Sequence, residues 1–417
     1  MKDRTSLRDV LADHTMPAAP QLFRRFEDGA IGCVACANRC RIPEGKTGIC
    51  CVRANRGGEL RVPGGYVAGL NIDPIEKKPF FHVFPGRDAL SFGMLGCNFH
   101  CPFCQNWISS QVLRDPESAG TPHPIRPEHL VDQAFERNVP VIVSTYNEPL
   151  ITADWAARVF EKACEKRIVC GFVSNGNATP EVIEFLRPFM RLYKVDLKCF
   201  DDDKYRSLGG ALRNVLDSIA LLKEKGFWVE VVTLLVPGFN DSDEQLRGIA
   251  SFLAALSHDI PWHVTAFHPN YQMGDTRPTR PSDIERAVAF GREAGLRFIY
   301  SGNLPGSTGD LENTYCPSCK ALLIQRRGYY ILSNRMQGAH CPDCSAVIPG
   351  LWEEKPPRAG GSSMPSRRVL YPVHRALARA RNRNRNRNRQ ETRHMLRQTT
   401  LPSSQLTSCA DTWPCSR

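Results

Sequence analysis

Between Asp88 and Asn303, short apolar runs alternate with amphipathic stretches, a rhythm that leaves few folds open to the chain. The runs at 89–95, 140–146, 168–174, 192–197, 228–235, 262–267 and 298–300 read as buried strands. Between them, apolar residues recur three and four apart, as at Trp155, Val159 and Phe160, or Val215, Ile219 and Leu222, or Leu246, Ile249 and Leu253. That spacing marks helices with one buried face. Thr179 and Pro180 read as an N-cap and first helical residue, Ser282 to Glu285 as a capping box, and Gly226 as a stop after Lys225. Strand-helix units joined by short loops require an α/β fold with a parallel sheet, either open and doubly wound or curled into a partial or complete (β/α) barrel. Either arrangement gathers its chemistry at the loops beyond the carboxyl ends of the strands.

The chain divides around this core into a lead (1–32), a Cys-rich module (33–66), the barrel (85–303), a four-Cys ribbon (310–352) and a basic low-complexity tail (353–417). The net charge of +11 is a property of that tail. Residues 355–417 hold 14 of the 54 Lys and Arg and 2 of the 43 Asp and Glu, leaving the other 354 residues at −1. A nucleic-acid reading must therefore rest on RNRNRNRNRQ alone, which has no aromatic residues for base stacking and is expected to be disordered. No apolar run approaches the ~18 residues of a membrane span, and the N-terminus lacks the apolar core of a secretory signal, so a cytoplasmic protein with no membrane association is expected.

Eleven of the 17 cysteines fall into three groups with ligand spacing, which in such a compartment favours metal over disulfides. Cys97, Cys101 and Cys104 (C-x3-C-x2-C) directly follow the first strand. Three thiolates hold three corners of a 4Fe-4S cube and leave one iron open to react; the alternative is a zinc knuckle with a distant fourth ligand. Cys33, Cys36, Cys40 and Cys50, with Cys51 adjacent, could bind an auxiliary iron-sulfur cluster or a structural zinc. Cys316, Cys319, Cys341 and Cys344 form paired knuckles suited to structural zinc or a rubredoxin-like iron, with two strands expected around Gly328. Lys320 and Ser345 stand where such knuckles often carry glycine. Cys164, Cys170 and Cys199 read as small buried apolar residues.

At Cys97–Cys104 the chain resembles the radical S-adenosylmethionine (SAM) superfamily, whose motif is C-x3-C-x-aromatic-C. Asp73 to Pro79, Ser144 to Pro149, Ser174 to Gly176, Asp196 to Lys198, Val236 to Asp241, Thr265 to Pro269 and Gly302 with Asn303 extend the likeness. Their order is similar to that of the AmmeMemoRadiSam-system radical enzymes, relatives of the pyruvate formate-lyase activating enzymes. The resemblance implies a 4Fe-4S cluster that cleaves SAM to a 5′-deoxyadenosyl radical, which abstracts hydrogen from an unidentified substrate. A backbone glycine of a glycyl-radical enzyme is the alternative target. It further implies that Phe103 lies near the adenine and that Glu148, beside Asn147, meets the methionine ammonium. Ser174, Asn175, Asp196 and Lys198 would hold ribose and carboxylate, with an electron donor such as flavodoxin or ferredoxin and Memo-like and AMMECR-like companions as partners. His268 ends a strand but reads as structural. A zinc-ribbon nucleic-acid binder would explain the charge but not an open three-thiol site after a strand. A plain electron carrier would need fully ligated clusters.

Overall fold

The computed structural model describes residues 6–354 apart from 117 and 119, so the tail beyond Glu354, with Cys409 and Cys415, lies outside the described residues. The apolar runs form one eight-stranded sheet of β1 (Gly69–Pro74), β2 (Asp88–Gly93), β3 (Val141–Ser144), β4 (Val169–Ser174), β5 (Leu192–Asp196), β6 (Trp228–Leu235), β7 (Trp262–Ala266) and β8 (Ile299–Gly302). Neighbours in the sheet are neighbours in the chain, from β1 at one edge to β8 at the other. A doubly wound sheet reverses its order at a switch point. This one never does, so it is a partial barrel with a seam between β1 and β8. Strands β2 to β8 are parallel, and β1 runs antiparallel to β2.

Helices α1 (Pro127–Glu136), α2 (Ala153–Glu165), α3 (Pro180–Leu186), α4 (Asp202–Leu208), α5 (Leu212–Glu224), α6 (Asp243–Leu256) and α7 (Pro281–Glu293) make the crossovers. Thr179 caps α3 as expected, its side chain accepting from Val182 N. Gly226 adopts φ +80° just past α5. The capping box expected at Ser282 does not form. Pro281 takes the first helical position, Arg280 becomes the N-cap, and the Asp283 carboxylate accepts from Arg280 N at 2.9 Å. A proline ring already holds the φ that a first helical residue needs, which moves the start upstream. Cys170 and Cys199 are buried, but Cys164, near the end of α2, is exposed, contrary to its apolar reading. No described helix is long and apolar enough to cross a membrane.

Two small antiparallel sheets precede the barrel, one of Phe23–Arg25, Ile31–Cys33 and Arg41–Ile42, the other of Thr15–Pro17, Glu59–Pro63 and Ala54–Arg56. They dock on α2 and α3. Arg53 and Asp154, both fully buried, form an ion pair, and Asp154 Oδ1 also accepts from Ala19 N at 2.7 Å. Ala37 N donates to Asn177 O at 2.9 Å.

The ribbon packs at the seam. Phe81, after β1, joins Phe298 and Tyr300 of the β8 region and the ribbon residues Cys316, Leu323, Ile324, Met336, Cys341 and Ile348 in one apolar cluster. Leu351 pairs with Val83 as a parallel bridge, and Leu322–Arg327 and Tyr330–Asn334 make the expected hairpin around Gly328 at φ +60°.

Candidate active site and metal centres

Alternation along the strands decides what faces the barrel interior. In β6, Glu230, Val232 and Leu234 point inward; in β5, Lys194 and Asp196 do, and Lys198 follows two residues on. All of these but Glu230 line a cavity of about 390 Å³ together with Cys101, Phe103, Cys104, Tyr146 and Thr265. Two of the three thiols after β2 thus open into the barrel.

The cysteine loop is held by its own backbone. Gly96 turns it with φ +97°, and a Cβ there would lie 3.0 Å from the carbonyl oxygen of Cys50. Cys97 Sγ accepts from Phe99 N at 3.3 Å, Cys104 Sγ lies 3.2 Å from Ser110 Oγ, and Asn147 Oδ1 accepts from Met94 N at 2.9 Å. Burial, reinforced by the neighbouring thiolates, pushes the thiols of Cys97 and Cys101 up, Cys101 to about 12. Thiols held this far above neutrality ionise when a metal takes their charge.

The cavity wall carries paired charges. Lys194 and Lys198 both bond Asp196, the latter at 3.3 Å. Burial opposes charge on Asp196, yet the two ammonium groups outweigh it and hold the carboxyl below its usual range. Burial likewise opposes the Lys198 ammonium, but the Asp196 carboxylate keeps it charged. On the opposite wall Lys78 bonds Asp73 at 3.0 Å and the Tyr146 hydroxyl at 3.3 Å, and Ser91 Oγ lies 2.8 Å from that hydroxyl.

Phe103, Asp196 and Lys198 therefore line the cavity. Asn147, Glu148, Ser174 and Asn175 sit together behind it, all buried. Glu148 Oε1 accepts from Ser174 Oγ at 2.7 Å and Leu150 N at 3.1 Å, and Oε2 from Asn175 N at 2.8 Å. Burial raises this carboxyl to about 7 against those hydrogen bonds. His268 is exposed and meets Asn303 O at 3.1 Å.

Sequence reasoning missed the floor of the barrel. Glu230 accepts from Phe81 N, His82 N and Trp228 Nε1 at 2.9–3.0 Å, and meets His263 Nε2 at 2.7 Å. Glu76 faces Arg326 of the ribbon at 3.9 Å, both fully buried. The available signal was a charged residue inside an apolar strand, as at Lys194, Glu230 and His263.

A second, outer cavity of about 640 Å³ opens between β8 and the ribbon hairpin, lined by Tyr329, Tyr330 and Leu332 among others. It shares Phe81, Gln105, Ser301, Gly302, Asn303 and Tyr329 with the inner one, so the two adjoin across these residues.

In the ribbon, Cys316 Sγ lies 3.6 Å from Cys344 Sγ and Cys319 Sγ 3.7 Å from Cys341 Sγ. A tetrahedral ion with metal–sulfur bonds of ~2.3 Å needs sulfurs ~3.8 Å apart, and these fit. Each knuckle turns where glycine is usual. Lys320 and Ser345 adopt φ +65° and +58°, and each donates its N–H to the first Cys carbonyl at 3.0 Å.

Residues 93–253 match the model of the Radical SAM superfamily. The chain is 37% identical over 330 residues to an uncharacterized protein of Methanocaldococcus jannaschii, covering 78% of this chain and 97% of that one. It is 24% identical to the indoleacetate decarboxylase activating enzyme of Tractidigestivibacter scatoligenes, covering 62% and 84%. Among solved structures, a domain of a pyruvate-formate lyase-activating enzyme from Bacteroides vulgatus aligns with TM-score 0.35 and 16% identity, covering 39% of this chain and 98% of that one. The family implies a 4Fe-4S cluster and SAM, and three thiols at the mouth of a polar barrel are a donor set that fits both. With three thiols after β2, a parallel partial barrel and a full-length relative in agreement, the chain belongs to the radical SAM superfamily.

Proposed function

We propose that this chain is a SAM-cleaving enzyme whose reaction begins in the inner cavity. The observation that carries the reading is the convergence of Cys101, Cys104, Phe103, Asp196 and Lys198 on one space. A cluster bound by Cys97, Cys101 and Cys104 would supply the electron that cleaves SAM to methionine and a 5′-deoxyadenosyl radical, with electrons from a donor such as flavodoxin or ferredoxin. The chain's own residues do the positioning. The Lys198 ammonium offers a fixed cation to the methionine carboxylate, Asp196 an acceptor for a ribose hydroxyl, and Phe103 an apolar face for the adenine. Glu148, with Ser174, Asn175 and Asn147, orders the ends of β3 and β4 around that site, where its carboxyl would face the methionine ammonium. These buried groups cost nothing to reorganise when cofactor binds.

The substrate reaches this space through the outer cavity, past Tyr329. A cavity of about 640 Å³ admits a chain segment as well as a small molecule, so abstraction from a polypeptide, including a backbone glycine, is the second reading. The order of motifs supports the AmmeMemoRadiSam subtype, with Memo-like and AMMECR-like companions as partners; co-purification of those proteins with this chain tests it. The experiment for the function itself is SAM addition to the anaerobically reduced protein, followed by electron paramagnetic resonance (EPR). The expected result is a changed cluster signal as SAM meets the open iron. An unchanged signal contradicts the reading.

A further inference from the structure

The N-terminal cysteines differ from the ribbon in how far apart they stand. Among the described residues, the ribbon thiols alone gather within 4.8 Å of one another as a candidate single-ion site. Cys33, Cys36, Cys40 and Cys50 stand wider apart, as do Cys97, Cys101 and Cys104. Yet the four form a group. Cys33 N donates to Cys40 O at 2.9 Å, Arg39 N to Cys36 O at 3.0 Å, and a Cβ on Gly48, two residues before Cys50, would lie 3.4 Å from Cys40 Sγ. Cys51 is not one of them. Its φ of +65° turns its sulfur toward Ile49 O and Arg8 Nη2, at 3.7 and 3.9 Å.

Unused donors surround the group. Arg53 spends Nη1 on Asp154 and Ile151 O, but its Nε and Nη2 are buried without a hydrogen-bond partner. Its backbone carbonyl accepts from Gly48 N, two residues before Cys50, at 2.8 Å. Asn98 Nδ2 is also buried without a hydrogen-bond partner, and its side chain is tied to the Cys36 loop through Asn175 and Asn177, whose carbonyl accepts from Ala37 N at 2.9 Å. A buried donor left unpaired costs about 1–3 kcal/mol, so three around one thiol group mark missing acceptors. The sulfides of an iron-sulfur cluster are such acceptors; a single zinc ion brings none.

We infer that Cys33, Cys36, Cys40 and Cys50 hold a second iron-sulfur cluster, of the 4Fe-4S class, with Arg53 and Asn98 donating to its sulfurs. Asn98 places it beside the first. Its Oδ1 lies 3.9 Å from Cys97 Sγ and accepts from Asn175 Nδ2 at 2.7 Å, and a Cβ on Gly96 would lie 3.0 Å from the Cys50 carbonyl oxygen. There it takes one electron from a donor of the flavodoxin or ferredoxin class and passes one on, with no bond or proton changed. The ligand assignment is independent of SAM cleavage; only the relay rests on the function proposed above.

The test is the full chain with Cys97→Ala, Cys101→Ala and Cys104→Ala, reconstituted anaerobically with iron and sulfide. It should retain about four acid-labile sulfides per chain and a reduced-cluster EPR signal, since the ribbon contributes one metal and no sulfide. Zinc without sulfide in this variant, or a folded variant with no sulfide, overturns the inference. If the variant fails to fold, the wild-type chain decides. About eight sulfides, with two reduced clusters broadening each other's EPR signals, support the site, and about four overturn it. A sulfide-bearing triple variant alongside a wild type that never cleaves SAM would sink the proposed function and leave this site standing.

Discussion

Replacing Lys198 by Met removes one ammonium from the cavity wall while keeping most of the stem. Asp196 stays paired, because Lys194 bonds its other oxygen, and Lys198 N still donates to the Tyr205 hydroxyl at 2.9 Å. The fold and the three thiols are therefore untouched. What is lost is a buried cation that Asp196 holds charged and fixed. A charge-assisted hydrogen bond of this kind contributes about 1.5–3 kcal/mol. At about 1.4 kcal/mol per tenfold, SAM should bind roughly 10- to 100-fold more weakly. Anaerobic equilibrium binding, with iron counted on the same samples, checks this. Wild-type iron content and a Kd within threefold of wild type would refute the assignment of Lys198.

Three other outcomes follow from the same structure. Gly96→Ala forces a side chain into φ +97° and against the Cys50 carbonyl, a strain of about 1–2 kcal/mol before the clash, and should reduce iron loading several-fold by metal analysis. Burial holds Glu148 near about 7 against an ordinary 4.5, so between those values the folded chain keeps a proton that the unfolded chain has released. Metal-free stability should therefore fall by up to about 3 kcal/mol as pH rises through that window, and denaturant titrations of Glu148→Gln should show a flatter slope than wild type. Removing the ribbon metal by chelation, or by Cys319→Ser, should release one ion and loosen the Phe81, Phe298 and Tyr300 cluster, read as a lower midpoint of thermal unfolding.

Local rules carried much of the fold. Strands β2 to β7 are mainly apolar runs, broken at Lys194, Glu230 and His263, and a parallel sheet covered on its outer face by helices needs such runs. The Asp196 and Lys198 pair was readable because a period of two puts both on the inward face. Strand β1 was not, since GLNIDP mixes polar and apolar residues on an edge where antiparallel pairing tolerates it. The barrel floor was hidden for another reason. Glu76 and Arg326 meet across the seam from opposite ends of the chain, and nothing local to either announces the partner. The choice of barrel over open sheet also lay beyond periodicity, because it depends on strand order alone. Cys50 and Cys51 illustrate the limit at a single site: adjacent thiols of equal chemistry are separated by one positive φ.

The central claim is that Cys97, Cys101 and Cys104 support radical chemistry in this barrel. Anaerobically reconstituted protein, reduced with dithionite and mixed with SAM, tests it through the 5′-deoxyadenosine formed. The account predicts product from the wild-type chain and none above background when any of the three cysteines is replaced by Ala. Product that persists at the wild-type rate in those variants, or no product from a fully iron-loaded wild type supplied with its substrate, would contradict it.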